Sequence, residues 1–330
     1  ATGNKVQGNY IGTDASGSAA LGNGANGVAI GGVPGNVIGG TDPGDGNVIS
    51  ANLASGVVIT GSAASGNLVQ GNLVGTDRTG SFALGNGTWG VTLDGANGNT
   101  VGGTTPGARN VMSGNRFDGM LIANSASGNL VQGNFMGTDA GGTNPLPNGF
   151  NGVAVDGAAF QNTIGGTDAG AANRIAYNPV DGVVVRSGTR NAIRGNSIFS
   201  NGGLGIDLGD DGVTSNDRGD ADTGPNNLQN FPVITRAVAT PNQLVVVGSI
   251  DTQNPQTVTI EIFANTVPVP GADPTRHGEG QTFIGSVTPD GSGRFTVILP
   301  PVPHGTVISA TATDTAGNTS EFSLDAVAGP

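Results

Sequence analysis

Cysteine is absent from the 330 residues, so no disulfide staples the chain and no thiolate serves as nucleophile or metal ligand. Lysine occurs once, at Lys5, and glutamate three times, at Glu261, Glu279 and Glu321. The two histidines, His277 and His304, also come late. The first 230 residues thus have almost none of two strong helix formers, which argues against helices. Positive charge is scarce as well. Twelve basic residues against 24 acidic ones give a net charge of −12, which leaves no basic patch to grip nucleic acid. No apolar run approaches the roughly 20 residues of a membrane span, so membrane insertion is not expected. Aromatics make up 4% of the chain, few for a sugar-binding platform.

What is abundant is glycine, 61 residues, and with it repetition. Gly3–Asp14 reads GNKVQGNYIGTD, Gly66–Asp77 reads GNLVQGNLVGTD and Gly128–Asp139 reads GNLVQGNFMGTD, with starts 63 and 62 residues apart. A second phrase keeps the same cadence at Gly35–Asp42, Gly98–Thr105 and Gln161–Asp168. A fixed period means a stack of similar units. A Gly-apolar-x-apolar signature marks seven coil starts: Gly27, Gly56, Gly90, Gly119, Gly152, Gly182 and Gly205. Each is followed by two short strands of the form Asn-x-apolar, such as Asn67–Gln70 and Asn72–Gly75. Three strands per turn predict a parallel β-helix. Val28, Val57, Val91, Met120, Val153, Val183 and Ile206 should form one inward column. Between coils lie two kinds of insert, Gly40–Gly46 and the longer Gly75–Gly87, whose alternation produces the 63-residue double-coil super-repeat. The recurrent Asn residues read first as turn formers, since Asn tolerates left-handed backbone. Stacked at one rung spacing, their amides are also able to bond in a ladder.

These residues resemble the parallel β-helix repeat proteins of bacteria, the superfamily that includes pectate lyases and many surface proteins. The resemblance covers residues 1–226 and implies a right-handed helix of about seven coils. From Phe231 the strands lengthen and alternate, with Pro- and Gly-rich turns, which predicts an antiparallel β-sandwich over 227–330. The ending TATDTAGNTSEF, Thr311–Phe322, looks like bacterial immunoglobulin-like domains of secreted and surface proteins. The expected fold class is therefore all-β, a helix followed by an Ig-like sandwich. An extracellular location follows from the small polar composition.

Between the two parts, six Asp crowd 16 residues, Asp207 to Asp222. Asp207, Asp210, Asp217, Asp220 and Asp222 are candidate calcium ligands, because a hard cation wants several carboxylates and a sharp turn. A solvated acidic linker is the alternative. An enzyme on this scaffold would present paired carboxylates on an outward strand face. The outward middle positions are Ala29, Val58, Thr92, Leu121, Ala154, Val184 and Asp207, of which only Asp207 is charged. Asp94 and Asp156 read as turn residues, and Trp89 as a lone loop anchor. Val58, Leu121 and Val184 make an apolar stripe that the inserts Gly75–Gly87 and Gly137–Asn148, or another subunit, should cover.

The first coil matches later ones from its second strand on, so its edge is unpaired. Either upstream coils are missing or a neighbouring subunit supplies a strand. On the second reading the acceptor groove is lined by Val6, Tyr10 and Ile11, and its filler is the tail Phe322–Val327, with Phe322, Leu324 and Val327 inserted. The expected function is a non-catalytic extracellular structural protein, filament-forming or adhesive through head-to-tail contacts, with itself or an extracellular polysaccharide as partner. The alternative is a lyase or hydrolase acting on an acidic polysaccharide, with Arg186, Arg190 or Arg194 as the base of a lyase.

Overall fold

The computed structural model describes residues 1–265 and 275–330. The N-terminal part folds as a parallel β-helix of three sheets, each of seven strands stacked in chain order. Sheet 1 runs from Lys5–Val6 to Ala192–Arg194, sheet 2 from Tyr10–Ile11 to Ser197–Phe199, and sheet 3 from Val28–Gly31 to Ile206–Leu208. The inward column of sheet 3 is in register from Val28 to Ile206, one residue per coil. Alternating apolar residues fill the interior, and Ile59, Leu93, Met120 and Ile122 are fully buried. Each such side chain contributes about 1.5–3 kcal/mol.

The asparagines do more than form turns. Three columns of them run along the three corners of the helix. Asn4, Asn36, Asn67, Asn99, Asn129, Asn162 and Asn191 precede sheet 1, and each backbone N–H donates to the next residue's Oδ1. A second column runs from Asn9 to Asn196 and a third from Asn23 to Asn201. The side-chain amides also donate along the columns, for example Asn72 Nδ2 to Asn110 Oδ1 at 2.9 Å. The ladder thus satisfies main-chain donors that a sharp corner leaves unpaired. Close packing at these corners leaves no room for side chains. A Cβ on Gly39 would sit 1.9 Å from the Gln70 carbonyl oxygen, and φ there is +82°.

The long inserts are not where the apolar stripe needed them. Gly80 lies against Leu73 and Ala140, Gly142 against Phe135, and Gly17 against Tyr10, so the inserts flank the outer face of sheet 2. They bond to one another, Arg78 N–H to Gly17 and Ala140 N–H to Gly80, both at 2.9 Å. The stripe on sheet 3 is fully covered within its own chain only toward the last coils. Ala29 is exposed and Val58 and Leu121 half-buried, whereas Ala154 and Val184 are fully buried. No second subunit is needed to cover Val184.

The C-terminal part consists of two antiparallel sheets, of three and four strands, sharing one apolar core that includes Leu244, Val246, Ile260, Ile262 and Ile308. These sheets close the last coil of the helix. Phe263 and Phe322 belong to the core of the helix, beside Ile206 and Leu208, with their rings 5.4 Å apart. Ile198 exchanges backbone hydrogen bonds of 2.8 Å with Gly280. All three glutamates of the chain accept amides of the last coil. Glu261 takes Gly195 N–H at 2.8 Å and Arg194 Nε at 2.8 Å. Glu279 accepts from Ser200 and Asn201 N–H and so terminates the third Asn column. Glu321 takes Leu208 N–H and Thr214 N–H, both at 3.0 Å. Asn226, at 3.0 Å from Asn191 N, terminates the first column.

Candidate functional site

The residues singled out in the sequence fall at the acidic junction, on the outer face of sheet 3 near the cap, and at the two ends of the helix.

At the junction the structure gathers three of the five predicted ligands. Carboxylate oxygens of Asp217, Asp220 and Asp222 lie within 4.8 Å of one another. Asp217 accepts Ala221 N–H, and Asp220 accepts Asn230 N–H at 2.7 Å and Gln229 Nε2 at 2.7 Å. Asp222 Oδ1 is buried without a hydrogen-bond partner. Burial raises the pKa of both Asp220 and Asp222, opposed at Asp220 by the Asn230 amide and assisted at Asp222 by the charge of Asp217. Such a spacing and an unpaired oxygen fit a hard divalent cation, which accepts oxygens at about 2.3–2.6 Å. Asp207 and Asp210 do not join this set. Asp207 closes its own turn by accepting Asp210 and Gly212 N–H, and Asp210 pairs with Arg186 Nε at 2.8 Å. Both belong to the last strand of sheet 3, Ile206–Leu208, and the turn that ends it. They therefore stay with that strand instead of entering the loop that folds back on Asn230.

On sheet 3 two carboxylates and an amide form a column, one per coil, just before the strands. Trp89 Nε1 donates to Asp118 at 3.0 Å, Asp118 accepts Asn151 N–H, Asn151 accepts Asp181 N–H, and Asp181 accepts Leu204 N–H. Burial and the nearby charge of Asp207 push the Asp181 pKa up to about 7. Burial likewise raises Asp207. Arg186 stands among Asp210, Asp118 and Asp156; burial opposes its charge, but these carboxylates hold it protonated more firmly than usual. Trp89 does not stand alone. It begins an aromatic row with Phe117 and Phe150, at centroid spacings of 5.6 and 5.7 Å. Sequence spacing missed this row because Phe117 and Phe150 occupy the neighbouring position of the same corner, one residue earlier than Trp89. Asp94 and Asp156 do serve turns, accepting Asn124 Nδ2 and Gly157 N–H. Of the repeated GTD aspartates, Asp14, Asp77 and Asp139 cap their own loops: Asp14 accepts Ser16 Oγ and the amides of Ser18 and Ala19, which lowers its pKa, Asp77 the amides of Ser81 and Phe82, and Asp139 those of Thr143 and Asn144.

The strand-donor reading fails at its anchor. Phe322 is 2% exposed and fills the end of its own helix. Ala326–Val327 pairs with Val307–Thr313, although Leu324 and Val327 keep exposed side chains. At the first coil, a cavity of about 250 Å³ is lined by Val6, Val28, Ile30, Val33 and Ile38. Ile11 packs on the core, while Tyr10 points outward, 44% exposed, toward the insert at Gly17. Tyr10 is therefore not part of that groove.

No protein-family model matches the chain, and no curated protein is significantly similar to it. Among the described residues no helix is long and apolar enough to cross a membrane.

Proposed function

We propose that this chain is a non-catalytic extracellular adhesive protein, a stiff β-helix rod that holds an extended polysaccharide along its side. The observation that carries this reading is how its polar groups are used. The three Asn columns and the three glutamates serve main-chain amides, and Asp118, Asp181 and Asp207 do the same while nearly buried. Carboxylates committed to backbone donors are poorly placed to meet a bulky scissile bond. The adhesive branch is favoured over the head-to-tail filament, because the C-terminal end of the helix is already filled by the chain's own sheets. In this reading the helix is right-handed, as parallel crossovers are, and the C-terminal sheets are an immunoglobulin-like sandwich serving as its cap. A calcium ion at Asp217, Asp220 and Asp222 would fix the loop that joins helix to cap.

A second reading, hydrolysis or elimination on an acidic polysaccharide, is favoured by one feature: Asp181, with its pKa near 7, beside Asp207 and the Trp89 row. Incubation with polygalacturonate distinguishes the two. The adhesive reading expects no unsaturated or reducing ends above a blank; the enzymatic reading expects products that vanish in Asp181→Asn.

A further inference from the structure

The outer face of sheet 2 breaks the acidic character of the molecule. Arg109 and Arg174 converge there from the coils on either side of Phe135. The Arg109 guanidinium lies 4.1 Å from the centre of the Phe135 ring, and that of Arg174 lies 5.7 Å from both Phe135 and Phe199. Tyr177 stands edge-on to Phe199 at 5.6 Å. Neither arginine is in an ion pair; the two pairs among the described residues are Arg186–Asp210 and Arg194–Glu261. Burial and the charge of Arg174 lower the pKa of Arg109. The nearby insert acid, Asp139, is turned to its own loop, accepting Thr143 and Asn144 N–H. Arg109 Nε reaches Gly133 O and Arg174 Nη1 reaches Gly142 O. Two half-buried cations about one ring, with no carboxylate paired to either, are costly unless an anion joins them. Further along the same face, Tyr10, Asp42, Leu73 and Arg78 line a cavity of about 430 Å³.

We infer that Arg109 and Arg174 form an oxyanion site for the carboxylate or sulfate of an extended glycan. Guanidinium forks suit planar oxyanions. The site rests on the adhesive reading only for the polymer that carries the anion.

The test uses the full chain with polygalacturonate, dextran sulfate and unmodified dextran, measured by titration calorimetry. Binding of at least one polyanion, weakened by sodium chloride, and no binding of dextran are expected; which polyanion binds tells carboxylate from sulfate. Arg109→Gln and Arg174→Gln should each weaken binding about tenfold at unchanged Tm, the loss of one charge-assisted bond. Equal binding of dextran, or undiminished polyanion binding in both variants, overturns the site. If either variant fails to fold, the Nε–H resonances of Arg109 and Arg174 in the wild-type protein decide. They should move on adding sodium sulfate or galacturonate, and their staying put with both overturns the site. Movement with a small anion but no polymer binding keeps the site and removes the adhesive reading instead.

Discussion

Glu321 carries the sharpest consequence at the scale of single residues. Burial raises its pKa to about 8, against two amide hydrogen bonds that lower it, with Asp207 adding to the rise. A carboxyl whose folded pKa is raised favours the folded state fully below its unfolded pKa near 4.5. That contribution is lost as pH climbs through 8. Asp181 acts in the same direction, up to about 7. The Tm of the full chain should therefore fall between pH 5 and pH 8, and Glu321→Gln should flatten the upper part of that slope. A Tm that rises over this window would contradict the assignment. Glu261 is different in kind, since it is fully buried but paired with Arg194. Glu261→Ala leaves a cation and an amide unpaired and should cost about 3–5 kcal/mol in chemical denaturation. Phe322→Ala empties the plug of the helix and should cost about 3–5 kcal/mol as well, while leaving no gain in self-association.

Among elements, the corner columns distinguish this helix from a stack held by apolar contacts alone. Asn110 is fully buried, accepts Asn72 N–H and donates to Val69 O and Asn134 Oδ1. Asn110→Ala should destabilise by about 2–3 kcal/mol, more than an exposed turn Asn would, because it orphans buried groups on two coils. The junction loop behaves as a separate element: if Asp217, Asp220 and Asp222 hold calcium, excess calcium raises Tm and chelator reverses it. An identical melt with calcium and with chelator removes the ion. The coils were legible in the sequence because each rung repeats its own Gly, apolar and Asn positions, so register follows from spacing. The cap was not. Glu261, Glu279 and Glu321 meet amides 66, 78 and 113 residues away, and a contact made once has no period to betray it. Their late clustering in a chain otherwise devoid of Glu was the available signal. The site fared similarly: the three-Asp set was visible as a local run, whereas Arg109 and Arg174 meet only through the coil between them.

For the whole molecule, the helix and the C-terminal sheets keep separate apolar cores but are joined by Phe263 and Phe322, which enter the helix core, and by the three glutamates, which accept its last amides. The sheets are thus the end-piece of the solenoid, which a stack of rungs requires to avoid an unpaired edge. That closes one end of the helix and leaves its long sides, beside the cavity at the first coil, as surfaces on which a partner can lie. The rod is proposed to hold an acidic polysaccharide without cutting it. The most direct measurement is the length distribution of polygalacturonate or dextran sulfate, by light scattering after size separation, once the polymer has been captured on the protein and then released with salt. A captured polymer of unchanged length is expected. Shortened polymer, or no capture of either polyanion, would contradict it.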